Sequence, residues 1–149
     1  MWRVPYVLQT LREQQQANVE IPAFDSRTAL NINHGSTKNQ HFTHFRILLT
    51  LGIATDMHFD QQNKRYQCVH EAIGQGFDLQ SSDWYAAQYK VPAHNFVLQL
   101  IAPNDNAPYQ IQQTDSLILC VAIELGFVNA KGEMEAIRNM GGGVIADVF

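Results

Sequence analysis

Apolar positions spaced three and four residues apart recur along most of the chain, and this spacing is typical of amphipathic helices. Alternation of apolar and polar residues indicates a strand at residues 18–22 and in the ribbon described next. The first of these ends on Pro22, as an edge strand often does. The helices predicted from spacing and end signals cover residues 5–16, 23–32, 37–51, 81–90, 93–101, 114–126 and 129–140.

Residues 36–71 contain the clearest local signals in the chain. Thr37 and Gln40 have the spacing of a capping box, and Gly52 can end the helix that follows. Residues 53–59 and 64–71 then flank a polar loop of hairpin length, which predicts a two-stranded ribbon. The final residues, 144–149, are expected to form a short strand or a docked tail.

The order helix, strand, helix, helix and ribbon over residues 5–71 resembles the winged helix-turn-helix family. Two phrases carry the resemblance: Leu48–Ile53 (LLTLGI), at the end of the third helix, and Asn63–Arg65 (NKR), at the ribbon tip. The match concerns the order of element types over just under half of the chain. A second, weaker echo at residues 84–98 is interpreted as ordinary packing of two helices around Pro92.

The resemblance implies a recognition helix over residues 37–51 that enters a major groove, with a basic wing that neutralises phosphates. It also implies which side chains would contact nucleic acid: Thr37, Lys38, Gln40, His41, His44, Lys64 and Arg65. Modules of this family serve as protein–protein adaptors as well. The predicted fold class is therefore α+β, with a winged-helix-like module at residues 1–73 and a mainly helical, acidic part at residues 74–149.

Charge is distributed unevenly between the two halves of the chain. Residues 1–70 carry seven Lys/Arg against five Asp/Glu, a net charge of +2, whereas residues 71–149 carry three against nine, a net charge of −6. A basic N-terminal half favours an anionic partner. The pI of about 5.8 is low for a nucleic-acid-binding protein, so a protein is nearly as good a candidate for the partner as DNA.

Composition agrees with a folded protein, because 46% of the residues are apolar. No signal peptide is apparent, and the longest apolar run, Leu117–Val128, is too short to span a bilayer. Two cysteines do not make a disulfide framework, so a cytoplasmic location is expected. The apolar surface of Leu117–Val128 is hard to cover within so small a protein, which predicts a homo-oligomer.

Two kinds of chemistry were considered for the His and Cys residues. His41 and His44 on one helix, with Cys68 and His70 on one strand, could complete a tetrahedral zinc site. The alternative, surface histidines and a core-facing Cys68, is favoured, and neither a metal nor a cofactor is predicted. Cys68 with a histidine could also act as a nucleophile, but nothing in the pattern constrains that arrangement.

The leading functional prediction is thus a non-enzymatic nucleic-acid-binding or regulatory module. A protein–protein adaptor or inhibitor subunit is the alternative, with DNA replaced by a protein partner. A small hydrolase that uses Cys68 is the third hypothesis.

Overall fold

The longest segments of the chain bury every second side chain, which is the signature of strands that pack on one face. The computed structural model describes residues 4–30, 42–68, 77–87, 89–101 and 111–149, apart from the side chains of residues 139 and 140. In these ranges one α-helix occurs, α1 (Ser26–Ala29), and a 3₁₀ helix covers Arg12–Gln14. The strands are β1 (Val7–Leu11), β2 (Gln16–Ile21), β3 (Phe24–Asp25), β4 (His44–Ala54), β5 (Met57–Asp60), β6 (Arg65–Cys68), β7 (Phe77–Ser81), β8 (Tyr85–Ala86), β9 (Lys90–Val91), β10 (His94–Gln99), β11 (Ser116–Val128) and β12 (Met134–Val148).

Two antiparallel sheets form the body of the protein. The large sheet has the strand order β12-β11-β4-β7, with β8 also paired to β4, and the small sheet has the order β1-β2-β10. The remaining strands form two short pairs, β3 with β9 and β5 with β6. Both sheets combine strands from the N-terminal and the C-terminal half of the chain.

The core lies between the two sheets. Every second side chain of the facing strands points into it. In β4 the inward side chains include Phe45, Leu49 and Leu51, each 0% exposed, and β11 contributes Leu117 and Leu119 at 0%. The small sheet adds its own inward residues to the same cluster: Ala17, Val19, Ile21, Phe96 and Leu98. The molecule is therefore an antiparallel β-sandwich.

This architecture shows that the α+β fold class and the winged-helix resemblance were wrong. Residues 44–51, predicted as the second half of a recognition helix, lie in β4, and residues 117–128, predicted as an apolar helix, lie in β11. Both segments carry apolar residues on two sides, so spacings of two, three and four residues are all present in them. β-branched residues, which favour strands, recur in β11. Pairing between the two segments decides in favour of strands.

The other predicted helices were also wrong, because their apparent caps bind strands and turns. The Ser82 hydroxyl accepts the backbone N–H of Ile47 at 3.0 Å, so it serves β4 and starts no helix. Asp115 accepts the N–H of Gln112 at 2.7 Å in a turn that leads into β11. Asn129 caps the β11–β12 turn in the same way. Strands accordingly occupy most of residues 5–16, 81–90, 93–101, 114–126 and 129–140 that were predicted to be helical.

Some local predictions are confirmed. The strand predicted at residues 18–22 is part of β2, although β2 lies in the centre of its sheet and not at an edge. The ribbon exists as the β5–β6 hairpin, and the C-terminal residues lie in β12. The helix predicted at residues 23–32 is reduced to α1, which Asp25 caps through the N–H of Arg27 at 3.0 Å.

In the part of the chain that the structure describes, no helix has the length and apolarity needed to cross a bilayer.

Arg12 joins the two ends of the described chain. Its guanidinium donates to the main-chain oxygens of Phe149 at 2.9 Å, Gln112 at 2.8 Å and Asp115 at 2.7 Å. Phe149 in turn exchanges both backbone hydrogen bonds with Leu117. One charged side chain thus satisfies several carbonyls where β11 begins and β12 ends.

We expect Arg12→Ala to lower the free energy of unfolding by about 2 kcal/mol, because several charge-assisted hydrogen bonds are lost and their acceptors remain partly buried. Urea denaturation measures this change. The exposed Arg138 provides the control, since Arg138→Ala should change stability by no more than about 0.5 kcal/mol. Equal effects of the two variants would contradict the role of Arg12.

Candidate functional site

The outer face of the large sheet is the most extensive apolar surface that the pairing registers define. Residues directly opposite each other in antiparallel strands point to the same side. One row therefore runs from Ile145 through Cys120 and Thr50 to Leu79. The row beside it consists of Val148, Ile118, Gly52 and Phe77. We call this surface, together with the next row Gly143, Ala122, Leu48 and Ser81, the outer face.

Large apolar side chains on the outer face are open to solvent. The exposed fractions are 67% for Phe77, 54% for Leu79, 61% for Ile145 and 55% for Val148. The strand centres, by contrast, carry small or half-buried residues such as Gly52 and Ala122. The result is a sheet face with apolar rims, and contiguous exposed apolar surface of this kind is typical of interaction sites.

The three rows of the outer face carry no charged side chain, and the two charges in the row beside them, Arg46 and Glu124, neutralise each other. The Arg46 guanidinium binds the Glu124 carboxylate through Nε and Nη2, both at 2.6 Å from Oε2. The same guanidinium lies 4.7 Å from the ring centroid of Trp84, a cation–π contact. Trp84 covers Gly126, the partner of His44 in β11. The face therefore has no net charge with which to attract a charged partner.

A groove opens beside this ion pair. It has a volume of about 440 Å³ and is lined by Leu48, Ile123, Glu124, Ala136, Ile137, Arg138 and Gly141. The groove arises because Glu124 pairs with Gly141 and Gly126 pairs with Ala136, so that the intervening residues of β12 bulge away from Leu125. Its walls are mainly apolar, and its volume is within the range of ligand and side-chain pockets.

The β5–β6 hairpin is a second exposed apolar feature. Met57, Phe59 and Tyr66 share one side of the ribbon and are 58%, 46% and 68% exposed. The rings of Phe59 and Tyr66 meet edge to face at 5.2 Å. The Asp60 carboxylate holds the turn by accepting hydrogen bonds from the backbone N–H groups of Gln62 and Asn63. It also accepts one hydrogen bond from the side-chain amide of Asn63 and one from that of Gln67. The hairpin therefore has an ordered turn and an uncovered aromatic side.

Tyr85 and His94 form a hydrogen-bonded pair of titratable groups between the two sheets. The Tyr85 hydroxyl lies 2.9 Å from His94 Nε2, and the rings of Tyr89 and Phe96 stack on the two partners. Burial lowers the pKa of His94 below its usual 6.5, and the charge of Asp83 opposes that shift. Burial, with the charge of Asp83, raises the pKa of Tyr85. We interpret the pair as a neutral link between β8 of the large sheet and β10 of the small sheet.

The residues predicted to contact nucleic acid are only partly described by the structure. Thr37, Lys38, Gln40 and His41 lie outside the described residues, as does the proposed capping box. His44 starts β4, where its Nδ1 lies 2.8 Å from the Thr43 hydroxyl. Lys64 and Arg65 lie at the hairpin tip, beyond the other end of β4 and roughly 30 Å of strand away. The structure therefore does not bring His44 together with the basic tip, and the set stays a prediction.

The zinc hypothesis finds no support among the described residues, where no cluster of three or more His, Cys, Asp or Glu side chains is placed to hold a metal. His41 and His70, two of its four ligands, lie outside those residues. Cys68 and Cys120 are half-buried free thiols on separate sheets.

Part of the outer face could have been recognised from the sequence. Residues 77–81 (FDLQS) alternate apolar and polar side chains, the usual signal of a strand with one apolar side. Their position beside β4 and β11 depends on long-range pairing, which has no local signal.

Comparisons of the chain with protein-family models, with curated proteins and with solved structures found no match.

We expect Gly126→Ala to destabilise the protein by about 1–3 kcal/mol, as overpacking does. The new Cβ would lie 2.6 and 2.7 Å from two ring carbons of Trp84 and 2.9 Å from the Glu135 carbonyl oxygen. Gly52→Ala is the matched control on the neighbouring strand, because nothing lies within 4 Å of its Cβ position. Urea denaturation followed by Trp fluorescence compares them, and an equally stable Gly126→Ala would contradict the packing of Trp84.

We also expect His94 to make the protein less stable in acid. The pKa of His94 is lower in the folded state than in the unfolded state. His94 therefore contributes to the free energy of unfolding at pH values above its unfolded-state pKa of about 6.5. This contribution is lost as the pH falls through the folded-state pKa. Wild type should therefore lose more stability between about pH 8 and about pH 5 than His94→Gln does. Thermal unfolding at both pH values measures the difference, and identical losses would contradict this expectation.

Proposed function

We propose that the protein is a non-enzymatic assembly subunit that binds a second copy of itself through the outer face. The observation that carries this proposal is the row of exposed apolar side chains across several paired strands of one sheet. The solvent-facing side of an antiparallel sheet is usually polar, whereas the large exposed side chains of this face, in β7 and β12, are apolar. Covering such a face with another apolar surface is favourable, because apolar side chains are removed from water.

Extent and charge favour a second copy as the occupant. The outer face extends over the paired strands β7, β4, β11 and β12, and its most exposed side chains are apolar. Its Arg46–Glu124 pair is internally neutral, and an acidic or basic partner would find no opposite charge there. Copies of one chain also associate through closed symmetry more often than in any other way.

This proposal keeps one prediction made from the sequence and changes its structural basis. Residues 117–128 were expected to mediate self-association as an apolar helix. They are instead most of β11, whose inward side chains fill the core and whose outward side chains, Ile118, Cys120 and Ala122, belong to the outer face. The two free thiols, Cys68 and Cys120, fit assembly in a reducing compartment such as the cytoplasm.

We expect Leu79→Asp to weaken self-association, because a carboxylate would be desolvated at the centre of an apolar contact. A loss of about 1–3 kcal/mol in association free energy is the usual range for such a contact. Sedimentation equilibrium over a concentration series measures it. The matched control is Val97→Asp on the outer side of the small sheet, since Val97 is 52% exposed and Leu79 is 54% exposed.

If wild type and both variants associated equally tightly, the contact between copies would have to lie on another surface. A wild-type protein that stays monomeric at every concentration would refute the proposed function itself. Thermal unfolding of each variant shows whether a loss of association comes from a loss of folding.

A further inference from the structure

We propose that the β5–β6 hairpin binds single-stranded nucleic acid, with bases stacked on Phe59 and Tyr66 and phosphates held by Lys64 and Arg65. This activity goes beyond the proposed self-association and does not depend on it. The hairpin is not part of the outer face, since its two strands form a sheet of their own.

Two aromatic rings on one side of the ribbon provide the stacking surface. Phe59 and Tyr66 are direct partners across the two strands, and their rings meet edge to face at 5.2 Å. Their exposed fractions are nevertheless 46% and 68%. Unpaired bases stack on exposed rings of this kind whatever their sequence, because every base has a π-face. In a duplex the bases are stacked on one another, so the rings favour a single strand.

The cations stand directly beside the aromatic pair in the chain. Lys64 and Arg65 are exposed at the tip and precede Tyr66, and neither forms an ion pair within the described ranges. The carboxylate of the tip, Asp60, accepts four hydrogen bonds from amide groups of the turn. Two cations against one carboxylate give the tip a net charge of +1, which complements a phosphate backbone.

The acidic character of the whole chain, with a net charge of −4, is compatible with this contact. Charges further apart than the Debye length, about 8 Å at physiological salt, are largely screened. The other carboxylate of the ribbon, Asp56, lies four residues before Asp60, which is roughly 13 Å along an extended chain. Phosphates at the tip therefore interact mainly with Lys64, Arg65 and Asp60.

The polar turn favours nucleic acid over a lipid surface as the partner. Residues 61–63 are Gln, Gln and Asn, all of them exposed at the end of the ribbon. These amides would lose their hydrogen bonds to water if the tip entered a bilayer. Against a single strand they can donate to and accept from the edges of the bases.

Fluorescence anisotropy of a labelled random-sequence DNA strand measures the binding at about 50 mM salt. We expect the wild-type protein to bind the strand about ten-fold or more tightly than a duplex of the same length. Tyr66→Ala should weaken binding to the strand about ten-fold or more, as the loss of one stacked base does. Tyr66→Phe keeps the ring and should bind as wild type does. Val7→Ala on the small sheet is the control, since Val7 is 64% exposed and Tyr66 is 68% exposed.

The charge of the tip can be changed while the turn is kept. Lys64 has a φ of 53°, in the left-handed region that Asn adopts readily, so Lys64→Asn removes the cation and fits the same backbone. Two phosphate contacts predict a slope of about −1.4 for the logarithm of the binding constant against the logarithm of salt concentration. We expect Lys64→Asn to reduce this slope to about −0.7. Thermal unfolding checks the folding of each variant, and Lys64→Asn decides the question if Tyr66→Ala unfolds.

Three results would each overturn the inference. They are an unchanged anisotropy with the wild-type protein, equal affinity for strand and duplex, and a folded Tyr66→Ala that binds as tightly as wild type. Sedimentation with vesicles of phosphatidylserine and phosphatidylcholine tests the lipid alternative, and the wild-type protein should remain in the supernatant. Sedimentation that Tyr66→Ala abolishes would assign the hairpin to a lipid surface instead. None of these results bears on self-association, which Leu79→Asp tests separately.

Discussion

The pairing of β4 with β11 is the interaction on which the rest of the structure depends. Eleven residues of β4, from His44 to Ala54, align one to one with residues 126 to 116 of β11. Because side chains alternate across a sheet, this single register sends Phe45, Leu49 and Leu51 into the core and leaves Leu48 and Thr50 on the opposite side. A slip by one residue would reverse both sets. The core and the outer face are thus two consequences of one register.

The groove depends on the neighbouring pairing of β11 with β12, which is irregular at one point. Gly141 opposes Glu124 with φ at 153°, and a Cβ there would collide with the Ile123 carbonyl oxygen. Only glycine fits this close approach, since it has no Cβ. The four residues of β12 between Ala136 and Gly141 then oppose the single residue Leu125. The groove lies at this irregularity.

The strands predicted correctly are those in which the spacing of apolar residues fits only the two-residue period of a strand. Residues 18–22 and the β5–β6 ribbon alternate cleanly, and both were identified as strands. Residues 44–54 and 116–128 are apolar at neighbouring positions, so the same letters satisfy a helical stripe and a two-sided strand. Which period applies depends on partners about seventy residues away in the chain.

Capping residues misled the prediction for a related reason. Asp, Asn and Ser side chains accept backbone N–H groups in turns as readily as at helix starts. Asp25 caps α1, whereas Asp115 and Asn129 perform the same hydrogen bonding in turns before and after β11. Within the candidate site, residues 117–128 could be proposed as an interface from the sequence, because a long apolar run is visible there without knowledge of the fold. The positions of Phe77, Leu79 and the groove could not be predicted, because the register of the sheet alone brings them together.

The outer face is a better place for association than the free edge of the same sheet. β12 lies at that edge, and an exposed long strand can add a strand from another chain. However, its pairing with β11 is interrupted twice, between Leu119 and Cys120 and between Glu124 and Gly126, and each irregularity bends the edge. A bent edge cannot offer a continuous ladder of N–H and C=O groups to an incoming strand. The glycines of residues 141–143 also provide no side chains to pair across it. The same irregularities that blunt the edge lie beside the groove, so they disfavour strand addition at β12 and leave the apolar face as the surface for the proposed association.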